Sequence, residues 1–532
     1  MSESSPSSIP SDCWPVVIVG GGPVGLALAA LLARQGVRSR VIEAGEGFCR
    51  GSRATCISRR AQEILSWAGA EHALVATGLP WAGGCSFWRD VEVLRFRVPA
   101  ESTRRFAPML NIQQYRLEQI LDGVLQRAAE LTQVSRGCRA VAVRSGPDLV
   151  EVDVESAQGR ETLRAQFIVA CDGARSTVRE QLGLQLEGTG YEGRYVIVDI
   201  AQKTRRPVER LAWFDPPSNA GATIVMHRQP DDMWRIEYQL RDDEDPVEAV
   251  RPEQVLPRVQ AHLRMIGEDE PWQVLSIAPY EARSMTLRQY RQGRVFLAGD
   301  AAHLVPIFGM RGLNSGLEDA GNLAWKLARV IEGTAPERLL DSYSAERVSA
   351  AHDNLAHGAK STALMAPANF AFRLMREAAL RLAVNDPAVR PLIKGRPATP
   401  GTYASSPLNI PQQGDWADDM AGPGAPAPEA LLQGARGSFH LTQCFGKDFV
   451  CLVFGDGPLP KAVGELPALG IGVLDIPPEA DQASEAWVRY GLPDPQGQGL
   501  VLVRPDGYVM GRWRGLDPAG LVAAMAGTGL AQ

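Results

Sequence analysis

An acid and several glycines lie where an apolar strand should end and a helix should begin. In VFLAGDAAHLVPIFGMRGLNSGLEDA (295–320), an apolar run is followed by Gly299 and Asp300, and a helical pattern starts near Gly312. A carboxylate accepts hydrogen bonds from hydroxyl groups, and glycine lets the backbone approach a ligand closely. We therefore predict a small-molecule site at this junction.

A second glycine junction lies near the start of the chain, in VVIVGGGPVGLALAALLARQG (16–36). Gly20, Gly22 and Gly25 fit the pattern G-x-G-x-x-G between a β-branched strand and an apolar helix that includes Pro23. The glycines permit a tight turn, the approach of a pyrophosphate and close helix packing, and the helix N-terminus attracts phosphate. The next strand ends at Glu43, where a carboxylate suits the hydroxyls of an adenosine ribose. A glycine-rich turn in an unrelated α/β unit is the alternative.

A third junction lies in the middle of the chain. AQFIVACDGARSTVRE (165–180) runs from a buried strand into Asp172 and Gly173. Arg175 and Arg179 follow four residues apart, so one helical face would carry both. An arginine pair alone would indicate a solvated basic edge, but beside three glycine junctions we interpret it as part of a binding region.

Composition excludes several classes of protein. A chain of 532 residues exceeds one ordinary domain, and 45% hydrophobic with 22% charged residues is typical of a globular protein. The net charge of −6 gives no electrostatic reason to expect nucleic acid or an anionic membrane. The uncharged run 16–33 is long enough to mimic a membrane span, but its glycines argue against one. The eight cysteines show neither CxxC nor zinc-like spacing, so we expect no metal site and reduced thiols in a cytoplasm.

Three motifs in this order resemble the single-component, FAD-dependent aromatic hydroxylases, the group A flavoprotein monooxygenases. They are GGGPVG at 20–25, CDGARSTVR at 171–179 and LAGDAAHLVP at 297–306, and LLDSYSAER at 339–347 also resembles the family. The longer form with a C-terminal extension is similar to the phenol and 3-(3-hydroxyphenyl)propionate hydroxylases and to related antibiotic-tailoring oxygenases.

The resemblance implies a set of cofactors and the residues that contact them. It implies bound FAD, NADPH or NADH as a transient electron donor, and O₂ as co-substrate. The carboxylate of Asp300 would accept a ribityl hydroxyl, and the N–H groups that start the helix near Gly312 would stabilise the reduced flavin. The implied cofactor-binding residues are Gly20, Gly22, Pro23, Gly25, Glu43, Arg53, Gln114, Asp172, Gly299, Asp300, Gly312, Leu313 and Asn314.

The resemblance and the strand patterns together predict an α/β architecture of several domains. Residues 15–189 and 290–397 form a Rossmann-like FAD-binding domain, 190–289 an inserted antiparallel-sheet substrate domain, and 398–532 a thioredoxin-like C-terminal domain. The polar residues 1–14 are expected to be a disordered tail. In MWRIEYQLR (233–241), apolar and polar residues alternate, which predicts a strand with one wet face. Cys444 and Cys451 lack the spacing of a redox pair, so the extension is expected to be redox-inactive.

Candidates for the substrate side of the site are less specific. Aromatic and imidazole side chains that could face the substrate, and could equally be core residues, are Trp213, His227, Tyr238 and Phe308. His303 is at least as well explained as a structural residue of a turn, and we assign it no catalytic role. Thr55 stands where the phenol-hydroxylase branch has an aspartate, so a positive group is the better candidate to hold a phenolate or carboxylate. Arg311 is the first such candidate.

The function that the resemblance implies is hydroxylation of a phenolic or aromatic substrate through a flavin C4a-hydroperoxide, with NAD(P)H consumed. Epoxidation, Baeyer–Villiger oxidation and drug inactivation on the same fold are alternatives, because the fold alone does not decide between them. A non-catalytic prenyl-protein chaperone is a remote alternative, and a halogenase is disfavoured because no W-x-W-x-I-P stretch occurs. We expect a small aromatic substrate, no nucleic acid, no membrane, and a monomer or homodimer.

Overall fold

The computed structural model describes most of the chain. The described residues are 13–49, 54–98, 103–189, 193–306, 309–367, 369–393, 400–416, 421–435, 437–456, 458–478, 481–492, 497–528 and 530. The predictions for the tail at 1–12, for Arg53 and for Phe308 lie outside them. Trp14, which the sequence analysis placed in the tail, begins the first strand.

The described chain forms helices and strands in the following order. The helices are α1 (Pro23–Arg34), α2 (Arg59–Trp67), α3 (Glu71–Thr77), α4 (Gln114–Gln126), α5 (Thr177–Gln181), α6 (Pro252–Met265), α7 (Gly312–Ile331), α8 (Asp341–Met365), α9 (Phe370–Asn385), α10 (Asp481–Arg489) and α11 (Pro518–Thr528). The strands are β1 (Trp14–Val19), β2 (Ser39–Glu43), β3 (Cys56–Ser58), β4 (Leu79–Trp81), β5 (Gly83–Trp88), β6 (Val91–Arg97), β7 (Met109–Asn111), β8 (Thr132–Arg136), β9 (Arg139–Ser145), β10 (Val150–Ser156), β11 (Gly159–Ala170), β12 (Glu187–Thr189), β13 (Arg194–Gln202), β14 (Arg210–Phe214), β15 (Thr223–Gln229), β16 (Met233–Gln239), β17 (Trp272–Glu281), β18 (Ser284–Thr286), β19 (Arg291–Gln292), β20 (Val295–Leu297), β21 (His303–Leu304), β22 (Leu431–Gly434), β23 (Gly437–His440), β24 (Phe449–Phe454), β25 (Ile471–Ile476), β26 (Gly499–Val503) and β27 (Val509–Arg514).

The first large sheet brings all three glycine junctions to one edge. Its order is β19-β20-β11-β1-β2-β8, and β10 and β9 extend it from β11. β1 is parallel to both β11 and β2, with Val19 opposite Ala170 and Ile42. β20 is parallel to β11, with Leu297 also opposite Ala170. Because these strands end side by side, the loops that follow them meet at the carboxyl edge of the sheet, where α/β proteins bind ligands.

The helix α1 is apolar on all sides because it is enclosed. It packs against α7 and α4 as well as against the sheet. Residues 25–32 are buried throughout. A helix that is apolar all round belongs in the interior of a protein, so the membrane-like run of the sequence is a strand, a turn and a core helix. No helix in the described ranges is long and apolar enough to cross a membrane.

A second sheet of seven strands has one apolar face and one polar face. Its order is β17-β13-β16-β15-β14-β5-β6. On one face, Trp213, Ile236 and Tyr238 pack with Val259 and Leu263 of α6. The other face is turned towards the small sheet β3-β7-β4, since His227 of β15 lies 3.8 Å from the thiol of Cys56. The strands β5 and β6 belong to this sheet, although the sequence analysis assigned their residues to the FAD-binding domain.

The C-terminal part contains a four-stranded sheet in the order β25-β24-β26-β27. β24 and β25 are parallel, while β26 and β27 are antiparallel to their neighbours, and α11 follows. This topology supports the predicted thioredoxin-like extension. Burial raises the pKa of Cys451 in β24 to about 12 and also raises that of Cys444. Neither thiol is therefore poised to act as a thiolate.

A buried ionic cluster joins the C-terminal part to the FAD-binding part. Glu346 of α8 accepts hydrogen bonds from Arg504 at 2.6 and 3.0 Å and from Lys326 at 2.7 Å. Arg504 also donates to Asp506 at 2.9 Å. Burial acts to raise the pKa of Glu346, but Arg504 and Lys326 together hold it below its usual range. The cluster is therefore charged, and it depends on each partner being present.

We expect Arg504→Met to destabilise the protein by about 3–5 kcal/mol, because removal of one partner leaves Glu346 buried without its main counter-charge. Chemical denaturation followed by tryptophan fluorescence measures the effect. The matched control is Arg338→Met, since Arg338 is exposed, and a surface change of this kind alters stability by about 0.5 kcal/mol or less. Equal denaturation midpoints for the two variants would contradict a stabilising role for the cluster.

Candidate active site

The glycine turn between β1 and α1 brings backbone atoms into close contact at the edge of the sheet. Gly20 has a φ of +111°, and a Cβ atom there would lie 2.2 Å from the carbonyl oxygen of Cys171. A Cβ atom at Gly25 would lie 2.0 Å from the carbonyl oxygen of Gly20. At Gly22, by contrast, a Cβ atom would meet nothing within 4 Å in the described chain. The turn therefore leaves open space in front of the first turn of α1.

The carboxylate of Glu43 borders the same turn. It lies at the end of β2, is half-buried, and accepts hydrogen bonds of 2.6 Å from the backbone N–H groups of Gly21 and Gly45. A carboxylate offers about four acceptor positions. Glu43 can therefore accept the hydroxyl groups of a ligand in addition to these two bonds.

The junction after β20 lies against the start of α1. Gly299 has a φ of +61°, and a Cβ atom there would lie 3.2 Å from the side chain of Val24. A Cβ atom at Gly316 of α7 would lie 2.6 Å from Val24 and 3.2 Å from the Cα atom of Gly299. The side chain of Asp300 is exposed at this junction. The two glycine junctions of the sequence are thus neighbours in space.

Both helices that begin here present free N–H groups. Within the described chain, neither α1 nor α7 has a side-chain N-cap. In α7 the N–H group of Ser315 donates to the carbonyl of Arg311 at 2.8 Å, so those of Gly312, Leu313 and Asn314 precede the first intrahelical bond. Free N–H groups and the helix dipole favour an anion at each helix start.

The buried carboxylate of Asp319 in α7 holds the junction after β20 in place. Its Oδ2 accepts hydrogen bonds of 2.8 Å from the N–H of Gly299 and from Nε2 of His303, and its Oδ1 accepts one of 2.6 Å from Arg347. Burial acts to raise the pKa of Asp319, but Arg347 and His303 outweigh it and lower the pKa. The contacts of His303 are thus those of a residue that positions Asp319.

The remaining predicted cofactor residues that the structure describes differ in their contacts. Asp172 lies at the end of β11, and its Oδ2 accepts a hydrogen bond of 3.2 Å from the N–H of Val178. Its Oδ1 is buried and has no partner within the described chain, and burial raises the pKa of this carboxyl. Gln114 donates from Nε2 to Glu118 one turn further along α4, at 2.9 Å.

The side chain of Asn314 connects α7 to the strand β3. Its Nδ2 donates to the carbonyl oxygens of Cys56 and Met310 at 3.0 and 2.6 Å, and its Oδ1 accepts from the N–H of Ser58 at 2.9 Å. Both N–H donors of the amide and one of the two acceptor positions on its oxygen are therefore used inside the protein. The side chain of Asn314 thus fixes the helix start, whose backbone N–H groups face a ligand.

A cavity of about 400 Å³ lies between the polar face of the seven-stranded sheet and the loop before α7. The loop contributes Gly309 and Met310, and residues 426–429 of the C-terminal part line the cavity as well. Its main apolar lining residues are Trp81, Leu94, Phe96, Met109, Ala212 and Phe214. An apolar cavity with a few polar groups is the usual form of a small-molecule site.

Strand alternation decides which predicted substrate residues approach this cavity. Ala212 and Phe214 of β14 line it, whereas Trp213 between them lies on the opposite face and stacks on Phe87 at 5.0 Å. Tyr238 is on that opposite face too, in the cluster beneath α6. Because successive side chains of a strand point to opposite faces, the structure places both Trp213 and Tyr238 in the core and away from the cavity.

His227 lies on the polar face, close to the cavity wall. Its ring centroid is 6.3 Å from that of Trp81. Burial, assisted by Arg210 and Arg235, lowers the pKa of His227 well below its ordinary value. The imidazole is therefore neutral near pH 7 and cannot form an ion pair with a phenolate.

Arg311 is held by a hydrogen bond to α8 and is not part of the cavity lining within the described chain. It is buried, and its Nη1 donates to Oδ1 of Asn354 on α8 at 2.9 Å. Burial lowers the pKa of its guanidinium, while Glu318 acts in the opposite direction. Within the described chain Arg311 is not among the residues that line the cavity. The structure therefore does not bring this predicted residue to the substrate side.

Arg210 lines the cavity and was missed by the sequence analysis. In RLAWF (210–214), the apolar side chains of Leu211 and Trp213 mark one face of β14 and leave Arg210 and Ala212 on the other. Four of these five residues are apolar, so the sequence of β14 carried no polar alternation that would single out Arg210. The polar face was interpreted as wet, whereas it borders an internal cavity.

Comparisons with known proteins agree with this geometry. The FAD binding domain family matches residues 14–357. The tetracenomycin A2 monooxygenase-dioxygenase of Streptomyces glaucescens is 30% identical over 94% of this chain and 93% of its own length. The 4-methyl-5-nitrocatechol 5-monooxygenase of a Burkholderia species is 30% identical over 95% of this chain and 94% of its own. The solved structure of the flavin-dependent monooxygenase PieE, in complex with FAD and substrate, has a TM-score of 0.80 at 24% identity, over 98% of this chain and 99% of that chain.

The chain belongs to the FAD binding domain family. The predicted fold class, an α/β protein with a Rossmann-like FAD-binding part, is confirmed. The prediction of an FAD-dependent monooxygenase is confirmed as well. FAD, reduced by NAD(P)H, supplies the redox chemistry of this class, and O₂ is its co-substrate.

We expect Asp319→Asn to weaken FAD binding and to destabilise the protein by about 3 kcal/mol, because Arg347 loses a buried counter-charge. The folded-state pKa of Asp319 is lowered, so its contribution is complete above the unfolded value of about 3.9 and is lost as the pH falls through the folded value. The stabilities of the wild type and the variant should therefore approach each other progressively as the pH falls from about 4 towards and through the folded value.

The matched control is Asp341→Asn, which opens an ion pair of 2.7 Å between Arg291 and an exposed aspartate at the start of α8. A surface pair contributes about 0–1 kcal/mol, so FAD binding and stability should change little. If both asparagine variants behave alike, Asp319 does not support the junction in the way that its contacts indicate.

Proposed function

We propose that the protein inserts one oxygen atom of O₂ into a phenolic ring held in the cavity beside Met310. The observation that carries the proposal is the cavity itself, which joins apolar walls, the loop before α7 and a cationic side chain, Arg210, in one space. Two relatives that match nearly the whole chain are named as a tetracenomycin A2 oxygenase and a nitrocatechol monooxygenase. Both names describe monooxygenases, and the second names a catechol, which is a hydroxylated aromatic ring.

The residues at the carboxyl edge of the first sheet fit FAD. A site for a polar ligand is expected to offer space, free donors and unpartnered acceptors. These features are present in the open space at Gly22, the uncapped starts of α1 and α7, and the buried Oδ1 of Asp172, which has no partner within the described chain. The residues that would hold the cofactor are Gly20, Gly22, Pro23, Gly25, Glu43, Asp172, Gly299, Asp300, Gly312, Leu313 and Asn314. Gln114 and Arg53 remain predictions.

Bound FAD, once reduced, supplies an electrophilic oxygen atom derived from O₂. The chain contributes the conditions for its transfer. Trp81, Met109 and Phe214 exclude water and orient a planar ring. Backbone N–H groups at the start of α7 stabilise negative charge that develops beside them. A cation at the cavity wall favours a phenolate, which donates electrons far better than a phenol.

The experiment that tests the function is a panel of phenols and polycyclic aromatic phenols, scored for stimulated NAD(P)H oxidation with products identified by mass spectrometry. The expected result is a product heavier by one oxygen atom, with the label incorporated from ¹⁸O₂. Oxygen insertion into a ketone, with no phenol converted, would support the Baeyer–Villiger alternative in place of hydroxylation.

We expect Asp300→Ala to lower FAD affinity roughly tenfold or more. The substitution removes one charge-assisted hydrogen bond, worth about 1.5–3 kcal/mol. Equilibrium dialysis of the apoprotein measures the change. Asp148→Ala is the control, because Asp148 is exposed on a turn far along the sequence from the junction. Unchanged FAD binding in the Asp300 variant would remove this carboxylate from the cofactor site.

A further inference from the structure

The polar face of the seven-stranded sheet has charged side chains in the interior of the protein. Arg210 of β14 lies opposite His227 of β15, and His227 lies opposite Arg235 of β16. Glu237 lies two residues further along β16. Arg235 is paired with Asp199, to which it donates at 3.0 and 3.4 Å. Of these two arginines, Arg210 is the one without an ion pair among the described residues.

Four arginines of the described chain line the cavity, and they differ in their partners. Arg59 donates to the carbonyl of Phe106 at 3.0 Å, and Arg60 donates to Glu63 at 2.8 Å. Arg104 acts electrostatically on Glu429 at the cavity wall. For Arg210, the described ranges provide neither a hydrogen bond nor an ion pair. Arg210 is half-buried at the cavity wall, so its five N–H donors are open to an anionic ligand that enters the cavity.

The groups around Arg210 provide electrostatic contact but no ion pair within the described chain. Burial lowers the pKa of Arg210, and Glu237 acts in the opposite direction. Burial raises the pKa of Glu237, and Arg235 and Arg210 oppose that shift. Burial also raises the pKa of the Cys56 thiol to about 12, so this thiol is neutral. The pKa of His227 is lowered by burial, Arg210 and Arg235, so the imidazole is no counter-charge for Arg210.

We propose that Arg210 binds an anionic oxygen on the substrate ring, either a phenolate or a ring carboxylate, and so decides which aromatic compounds the cavity accepts. The proposal rests on the proposed function for the identity of the ring. It gives Arg210 the role that the sequence analysis assigned to Arg311, which instead is directed to Asn354 of α8. The planar fork of a guanidinium suits both kinds of oxyanion.

The test uses FAD-loaded protein and three probes of similar shape. The probes are 4-nitrophenol, which ionises at its hydroxyl; 4-nitrobenzoate, which carries a carboxylate; and 4-nitroanisole, which is neutral. Dissociation constants come from changes in flavin absorbance. The phenolate band of 4-nitrophenol also reports the pKa of the bound phenol directly, without turnover.

In the wild type, we expect one anionic probe to bind about tenfold or more tightly than 4-nitroanisole. If the phenolate is the preferred source, the pKa of bound 4-nitrophenol should fall by about one unit or more. If the carboxylate is preferred, 4-nitrobenzoate should show the gain. Arg210→Met should abolish the preference, and Arg210→Lys should keep part of it because the charge remains.

Two further variants keep the test independent of misfolding. Arg95→Met removes an arginine of the same sheet that is exposed and paired with Glu92 and Glu209, and it should leave the preference intact. Glu237→Gln removes the carboxyl that acts electrostatically on Arg210 and should tighten binding of the preferred anion by about two- to threefold. FAD content and the melting temperature of each variant verify that the protein is folded.

Several results would overturn the proposal. They are equal binding of all three probes by the wild type, an undiminished anion preference in Arg210→Met, or an equal loss in Arg95→Met. The proposed function fails separately, through the phenol panel. If no phenol is hydroxylated while anion binding still depends on Arg210, the residue keeps its role and the reaction has to be reassigned.

Discussion

The buried ion pair between Arg347 of α8 and Asp319 of α7 holds the glycine junction after β20 in place. Asp319 accepts the N–H of Gly299, while Arg347 donates to the carbonyl of Ser315 at 3.0 Å and to the hydroxyl of Tyr403 at 2.8 Å. A glycine with a positive φ has little conformational preference of its own. Its geometry is therefore imposed by a charge network that closes only when the strand, both helices and the later segment around Tyr403 are in place.

Glu346, the residue before Arg347, links α8 to the C-terminal part of the chain in the same way. Glu346 and Arg347 are consecutive, yet Glu346 binds Arg504 and Arg347 binds Asp319. Residues 426–429, from the C-terminal part, also line the cavity. The C-terminal part is thus fixed through a charge next to the one that fixes the glycine junction after β20. A change at this contact should therefore affect the cavity wall as well as stability.

Most features of the first sheet could be predicted from the sequence, but fewer features of the cavity could. The junctions at Gly20 and Gly299 were predictable because glycine spacing, strand ends and helix starts are local features, and the parallel register brings them together. The direction of Arg311 was not predictable, since Asn354 of α8 determines it. The core position of Trp213 follows from which face of β14 α6 covers. That information is tertiary, because alternation gives two faces without saying which one is enclosed.

The polar face of the seven-stranded sheet explains why an open cavity persists beneath it. Had β14, β15 and β16 carried apolar residues on both faces, burial at about 25 cal/mol per Å² would favour collapse onto the small sheet β3-β7-β4. Arg210, which lines the cavity, opposes this collapse, because enclosing a guanidinium without a hydrogen-bonded partner is costly. A locally unfavourable choice of residues in a strand interior is expected where function requires it. The same charge that keeps the cavity open is then available to the molecule that enters it.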